Sequence, residues 1–299
     1  LKTISSFNSV SLLLAIVALA AGMYFDGLRL QRLVKIGGYK LSIQAVLRVI
    51  FSNYFMAMLT PGASGGAVAQ VLVLKSYGVP ISKGTPIVLI RTVFSIMFLV
   101  IMLPLVFLRD AIEIPYISRD MLLLFAVLAV IATLLGTYIL QTKYMRQFVY
   151  NLAQRFKAHK TKDWLSKLET LNQGLGLLYK EPIQSVIVFF DSGLSLLCLY
   201  CIAPALMYAF TPDIPIIDIL DRMILLNLIL YFAPTPGGTG IAEGLFVVLF
   251  SAFVPNGTVG IVAVAWRVVA EYLPFFIGMY AVLTLYGRQF VAQETSREQ

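Results

Sequence analysis

Three ionisable residues in an otherwise apolar stretch set the first chemical question. Arg267 and Glu271 stand four residues apart, so on a helix they share one face and can pair. Glu243 lies eight residues after Thr235, on the far arm of a Thr-Pro-Gly break. An ionisable side chain in hydrocarbon costs about 2.5 to 3.5 kcal/mol on insertion scales, so each of these needs a partner or a purpose. Clustered, they would hold one carboxylate in surplus, suited to a cationic headgroup, while the planar fork of Arg267 would suit a phosphate. The plainer reading is a structural ion cluster in which Glu243 ties down its own hairpin.

Two further charges raise the same question. Arg91 reads either as a phosphate contact near the cytoplasmic end of its helix or as a side chain snorkelling to the interface. Asp191, nine residues beyond Pro182 and flanked by Phe189, Phe190 and Ser192, is costly unless it faces a cavity or pairs with an arginine. It would also titrate in a proton-coupled cycle. The breaks in the chain offer backbone chemistry. Amides at Gly62, Ala63, Gly65 and Gly66, and at Gly237, Gly238 and Gly240, can cradle a phosphate as helix N-termini do, with hydroxyls from Thr60, Ser64, Thr235 and Thr239 beside them. Otherwise these glycines serve only to let helices cross closely.

Enzyme chemistry finds little to work with. The single histidine, His159, falls in a basic segment, and no His, Cys and acid spacing suits a metal. No Ser or Cys has an evident base, and no nucleotide-binding loop is present. The expectation is a protein that is not an enzyme, uses no cofactor and does not spend ATP directly. A transferase acting on a lipid-linked sugar would need paired acids in a loop, which are not seen.

The elements that must hold these residues follow from composition. The chain has 299 residues, 59% hydrophobic and 13% charged, with a mean hydropathy of +0.86. Soluble domains carry about a quarter charged residues, and a membrane span needs about 20 apolar ones. The apolar runs suffice for roughly six to eight spans, which gives an all-α polytopic transmembrane bundle forming a single unit over 1–299. The net charge of +8 reflects topology rather than nucleic acid as a partner. Arg29, Arg32, Lys35, Lys40 and Arg48 follow the apolar run Val10 to Leu28, and a basic segment occupies 143–180, so both are expected to be cytoplasmic loops. The more acidic stretches 109–120 and 211–222 are expected outside. Cys198 and Cys201 sit in an apolar run and read as packing residues.

Spans are expected at about 86–108, 121–142, 183–210 and 258–286. The stretches 44–77 and 219–254 are apolar too, but Thr-Pro-Gly and further glycines break each in the middle. With 29–48 inside and 109–120 outside, the helix at 86–108 already makes the crossing, so 44–77 must return to the face it came from. The same reasoning makes 219–254 a hairpin from the opposite face. Irregular backbone at that depth is tolerated only inside protein or beside water.

The two breaks are related. Thr60-Pro61-Gly62-Ala63-Ser64-Gly65 matches Thr235-Pro236-Gly237-Gly238-Thr239-Gly240 at a displacement of 175 residues, Pro80 and Pro255 keep it, and Arg91 and Arg267 differ by 176. The unit is helix, hairpin, helix, with repeat one over about 10–108 and repeat two over about 183–286. Three intervening spans invert the second copy. Inverted repeats with broken helices point to a transporter site near the midplane.

The run Phe55-Met56-Ala57-Met58-Leu59-Thr60-Pro61-Gly62-Ala63-Ser64-Gly65-Gly66 resembles the first signature of the lysylphosphatidylglycerol synthase transmembrane-region family. The run Pro234 to Gly244, with Pro236-Gly237-Gly238, Gly240 and Glu243, resembles its second, more specific one. The resemblance extends over nearly the whole chain. It implies a region that flips aminoacylated phospholipid made by a separate cytoplasmic domain; the present sequence reads as a stand-alone, flippase-like member. It also implies one more N-terminal span than is counted here, so a helix ahead of Leu1 is expected.

The function expected is a lipid transporter of the inner, cytoplasmic membrane that moves a polar headgroup between leaflets. Membrane lipids are its partners, and a second copy of the chain or a separate lipid-modifying enzyme is left open as a further one. A secondary transporter or channel for a small ion or solute is the alternative, and a non-transporting scaffold a third.

Overall fold

The computed structural model describes residues 8–109, 119–139, 176 and 181–295. The basic segment 143–180, apart from Gly176, and most of the acidic stretch 109–120 lie outside the described residues, as do Leu1 and His159. Among the described residues every regular element is helical. They are α1 (Ser9–Ile36), α2 (Ile43–Leu59), α3 (Ser64–Ser76), α4 (Ile81–Leu108), α5 (Arg119–Ile139), α6 (Pro182–Tyr200), α7 (Ile202–Met207), α8 (Ile216–Leu230), α9 (Ile241–Phe250), α10 (Val259–Arg267) and α11 (Leu273–Thr295), with a π-helical turn over Val268–Tyr272.

Length separates these helices into two kinds. Among the described residues, four segments are long and apolar enough to cross a membrane: α1, α4, α6 with α7, and Val259–Leu285. The 28 residues of α1 and of α4 each extend about 42 Å at 1.5 Å per residue, more than the ~30 Å hydrocarbon layer. By contrast α3 has 13 residues and α9 only 10, or about 20 and 15 Å, too short to cross alone. Each is joined to the helix before it through one of the Thr-Pro-Gly turns.

Local signals explain several of the boundaries. Asn8 caps α1 through Ser11 N at 2.7 Å, and Ser42 caps α2 through Ala45 N at 3.2 Å. Pro80 precedes α4, and Pro182 opens α6, where a missing amide donor costs nothing. One boundary departs from the sequence expectation. α1 does not end near Leu28 but continues to Ile36, so Arg29, Arg32 and Lys35 are helical rather than in a loop, and Arg48 lies within α2. The charge rule locates a side of the membrane, not the end of a helix.

Packing follows a paired pattern. α1 packs on α6. The α2–α3 pair packs through α2 on α11, and α8 packs on α4. α3 leans on α4 as α9 leans on α10. Two contacts fix the ends. Gly37, just past α1, sits against Ile87 near the start of α4, whereas Arg109 at the other end of α4 reaches Asp221 of α8 at 3.3 Å. Large apolar side chains such as Phe190, Phe232 and Val248 face outward, as lipid requires.

The α2–α11 contact is close because of one glycine. A Cβ on Gly278 would stand 2.1 Å from the carbonyl oxygen of Phe51, and backbone cannot yield as a side chain can. Gly278→Ala is therefore expected to destabilise by about 2 kcal/mol, read as a lowered unfolding temperature in detergent. An unchanged temperature would mean that this helix pair is not closely packed.

Candidate functional site

The two Thr-Pro-Gly turns have the same internal wiring. Gly62 and Ala63 have φ of +59° and +53°, Gly237 and Gly238 have +57° and +68°. Ala63 N donates to Thr60 O at 3.2 Å and Gly238 N to Thr235 O at 3.0 Å; Ser64 Oγ donates to Pro61 O at 3.1 Å and Thr239 Oγ1 to Pro236 O at 2.7 Å. Two consecutive left-handed residues reverse the chain tightly, and glycine fills three of the four positions because it carries no Cβ penalty there. The tips meet: Pro61 and Pro236 form an antiparallel bridge, and Gly237 stands against Met58.

That wiring consumes most of the amides expected to cradle a phosphate. Ala63, Gly66 and Gly238 donate to carbonyls within their turns, Gly65 donates to Thr60 Oγ1 at 2.8 Å, and Gly240 donates to Glu243 Oε2 at 2.7 Å. Short turns satisfy their own backbone, so a preformed anion cradle does not exist at those positions. The turns differ in one detail. Thr60 Oγ1 donates to Met56 O and caps Gly65, but at the matching place Glu243 caps Gly240 instead. Thr235 Oγ1 is thereby left buried without a hydrogen bond.

The structure brings Glu243, Arg267 and Glu271 together. Arg267 is 1% exposed. Its Nε donates to Glu243 Oε1 at 2.7 Å, its Nη2 to Gly237 O at 2.9 Å, and its Nη1 pairs with Glu271. All three nitrogens are thus engaged, and Arg267 is no open fork for a phosphate. It ties the second turn and α9 to the closing helix, and the π-helical turn that follows it carries Glu271. The cluster holds one positive and two negative groups, so a carboxylate is in surplus.

A second cluster was not found from the sequence. Asp26 of α1 receives Arg29 Nε at 2.7 Å and Arg91 Nε at 3.2 Å, and it also pairs with Arg91 Nη2. Arg29 Nη1 donates to Ser95 Oγ at 2.7 Å, Arg91 Nη1 donates to Gln70, and Gln70 Nε2 donates to Asn53 Oδ1 at 2.7 Å. Asp26, Arg29 and Arg91 are all buried. Arg91 therefore does not snorkel to the interface. Through Gln70 and Asn53 it fastens the α2–α3 hairpin, as Arg267 fastens the other. This cluster has a surplus positive charge. The signal available was an acid inside the first span, with an arginine three residues on along the same face.

Between the tips lies a cavity of about 250 Å³ whose wall includes Asn53, Tyr54, Asn227, Tyr231, Thr235 and Glu271. Glu271 is its only charged wall residue among the described residues. Gly62, Gly237 and Gly238 also border it, whereas Thr60, Ser64, Gly65, Gly66, Thr239, Gly240, Glu243, Arg91 and Arg267 do not. Tyr54 lies within electrostatic reach of Asp26, Arg29, Arg91 and Glu271, and so stands between the two clusters. Asp191 is elsewhere: it accepts from Arg32 Nε at 2.8 Å across the α1–α6 contact, the arginine pairing that its cost demanded. The cavity can hold a small polar group, offering it an anionic carboxylate and amide side chains, with the buried, unpartnered hydroxyl of Thr235 in the wall behind.

A family model described as the lysylphosphatidylglycerol synthase TM region matches residues 1–278. The chain is also 22% identical over 289 residues to a UPF0104 membrane protein of Archaeoglobus fulgidus, a match that spans 94% of this chain and 88% of that protein.

Proposed function

Because the chain belongs to the lysylphosphatidylglycerol synthase transmembrane-region family, an assignment that with its apolar helices makes it an integral membrane protein, we propose that it carries a polar lipid headgroup between leaflets through the cavity at the hairpin tips. The acyl chains stay in the bilayer. The headgroup meets Glu271, Thr235 and the side-chain amides of Asn53 and Asn227, and the two halves move relative to each other to alternate access. The cytoplasmic membrane is the proposed location.

The observation that carries this reading is the cavity itself. It has an unpartnered buried hydroxyl and a carboxylate in charge surplus, at the place where two broken elements touch. Buried polar groups without partners are costly, so each that persists calls for a reason, and a bound polar group is one such reason. Other features support the inverted, re-entrant arrangement. The turns share their hydrogen bonds at a displacement of 175 residues, and each hairpin packs on the closing helix of the other half. α1 ends beside the start of α4 just before the chain enters α2, and α8 begins beside the other end of α4, yet the tips meet, which favours approach from opposite faces.

The test is leaflet exchange in liposomes that contain the purified protein and labelled anionic, zwitterionic or aminoacylated phospholipid. At least one class is expected to exchange at least about tenfold faster than in protein-free vesicles, a change of about 1.4 kcal/mol in barrier. Vesicles that pass a small cation but exchange no lipid would transfer the cavity to a solute. Vesicles that do neither would leave a scaffold.

A further inference from the structure

The α1–α6 contact holds a second polar pocket, which shares no lining residue with the cavity at the tips. It encloses about 250 Å³ and is lined by Leu28, Gln31, Arg32, Lys35 and Gln184. Its depth follows from helix length. α1 exceeds the hydrocarbon thickness by about 10 Å. Gln31, Arg32 and Lys35 occupy its last two turns, and Gln184 lies in the first turn of α6. All four polar groups therefore stand at the level of lipid headgroups.

Charge and shape agree on the ligand. Arg32 spends its Nε on Asp191, which balances one charge, yet its side chain stays 35% exposed. Lys35 is exposed and, among the described residues, makes no ion pair. The side chains lining the pocket thus keep a net positive charge, at the end of a 19-residue helix that is entered through the exposed Glu181 and Pro182. On α6, Ile183, Val186 and Phe190 recur at i, i+3 and i+7 and are exposed at 75%, 55% and 68%, an apolar stripe that starts one residue before Gln184 of the pocket wall. A free anion has no use for such a stripe; an acyl chain does. We propose that this pocket seats the phosphate of an anionic phospholipid, with a chain lying along Ile183, Val186 and Phe190. A lipid held there joins the leading helices of the two halves at the end where α1 finishes. The site stands whether or not the cavity at the tips carries lipid.

The test uses the full chain in maltoside detergent, with phosphatidylglycerol, phosphatidylcholine and inorganic phosphate as probes, read by native mass spectrometry and thermal unfolding. Phosphatidylglycerol is expected to bind about tenfold or more tighter than phosphatidylcholine and to raise the unfolding temperature. Lys35→Ala should weaken it about fivefold, the worth of one basic side chain at an anionic surface. Lys35→Glu should abolish the preference while phosphatidylcholine binds as before. Should Lys35→Glu not fold, Lys35→Ala carries the comparison alone. Equal binding of both lipids, a preference that survives the lysine changes, or displacement of phosphatidylglycerol by millimolar phosphate would each overturn the proposal.

Discussion

Asp26→Asn is expected to cost about 3 to 5 kcal/mol of stability, the usual loss when one partner of a buried ion pair is removed. Asp26 is the sole acid against Arg29 and Arg91, and all three are buried. Without its charge, two guanidinium groups remain in the interior with only neutral side-chain partners, namely Ser95, Gln70 and the amide oxygen that replaces the carboxylate. Arg91→Gln makes the informative contrast. It leaves the Asp26–Arg29 pair, removes the surplus positive charge and retains an amide to meet Gln70, so its cost should be clearly smaller, about 1 to 2 kcal/mol. Thermal unfolding of both variants in one detergent reads the difference. If Arg91→Gln proved the more damaging, the surplus would not reside on the arginines, and the cluster would have to be read as a neutral network.

That cluster also marks where sequence reasoning stopped short. Basic residues after Leu28 were read as a loop because they report the side of the membrane, and this reading separated Asp26 from Arg29 at a boundary that the helix ignores. Hydropathy cannot see a charge that is neutralised three residues further along the same face. Gln70 and Asn53 gave no warning either, since an amide in an apolar run becomes informative only when its partner on another helix is known. The repeated turns were legible, because proline and glycine act on their own backbone and leave the same mark twice. So was the Arg267–Glu271 pair, whose spacing is set by one helix. The fate of the turn amides was not legible. Whether Gly65 and Gly240 are free depends on which side chain folds back, Thr60 in one copy and Glu243 in the other. Only that exchange of caps shows why Thr235, and not Thr60, has a hydroxyl without a partner.

Glu271→Gln is expected to lower headgroup exchange by tenfold or more while leaving the protein folded. Among the described residues Glu271 is the only charged one in the cavity wall. A hydrogen bond to a charged group is worth about 1.5 to 3 kcal/mol, or between about tenfold and 150-fold in rate where it acts in the rate-limiting step. Stability is spared because Arg267 retains Glu243 Oε1 and Gly237 O, and the remaining pair is neutral. The same change at Glu243 should behave in the opposite way. Glu243 is absent from the cavity wall, yet it caps Gly240 and holds Arg267, so Glu243→Gln loosens the second turn and lowers the unfolding temperature, with exchange reduced only as folded protein is lost. Thr235→Val separates cargo contact from charge. It removes a hydroxyl that has no partner within the protein, so any loss of exchange without loss of stability must come from a group that is not part of this chain. Exchange at the wild-type rate in both Glu271→Gln and Thr235→Val would take the cavity out of the transport path, whatever the family assignment implies.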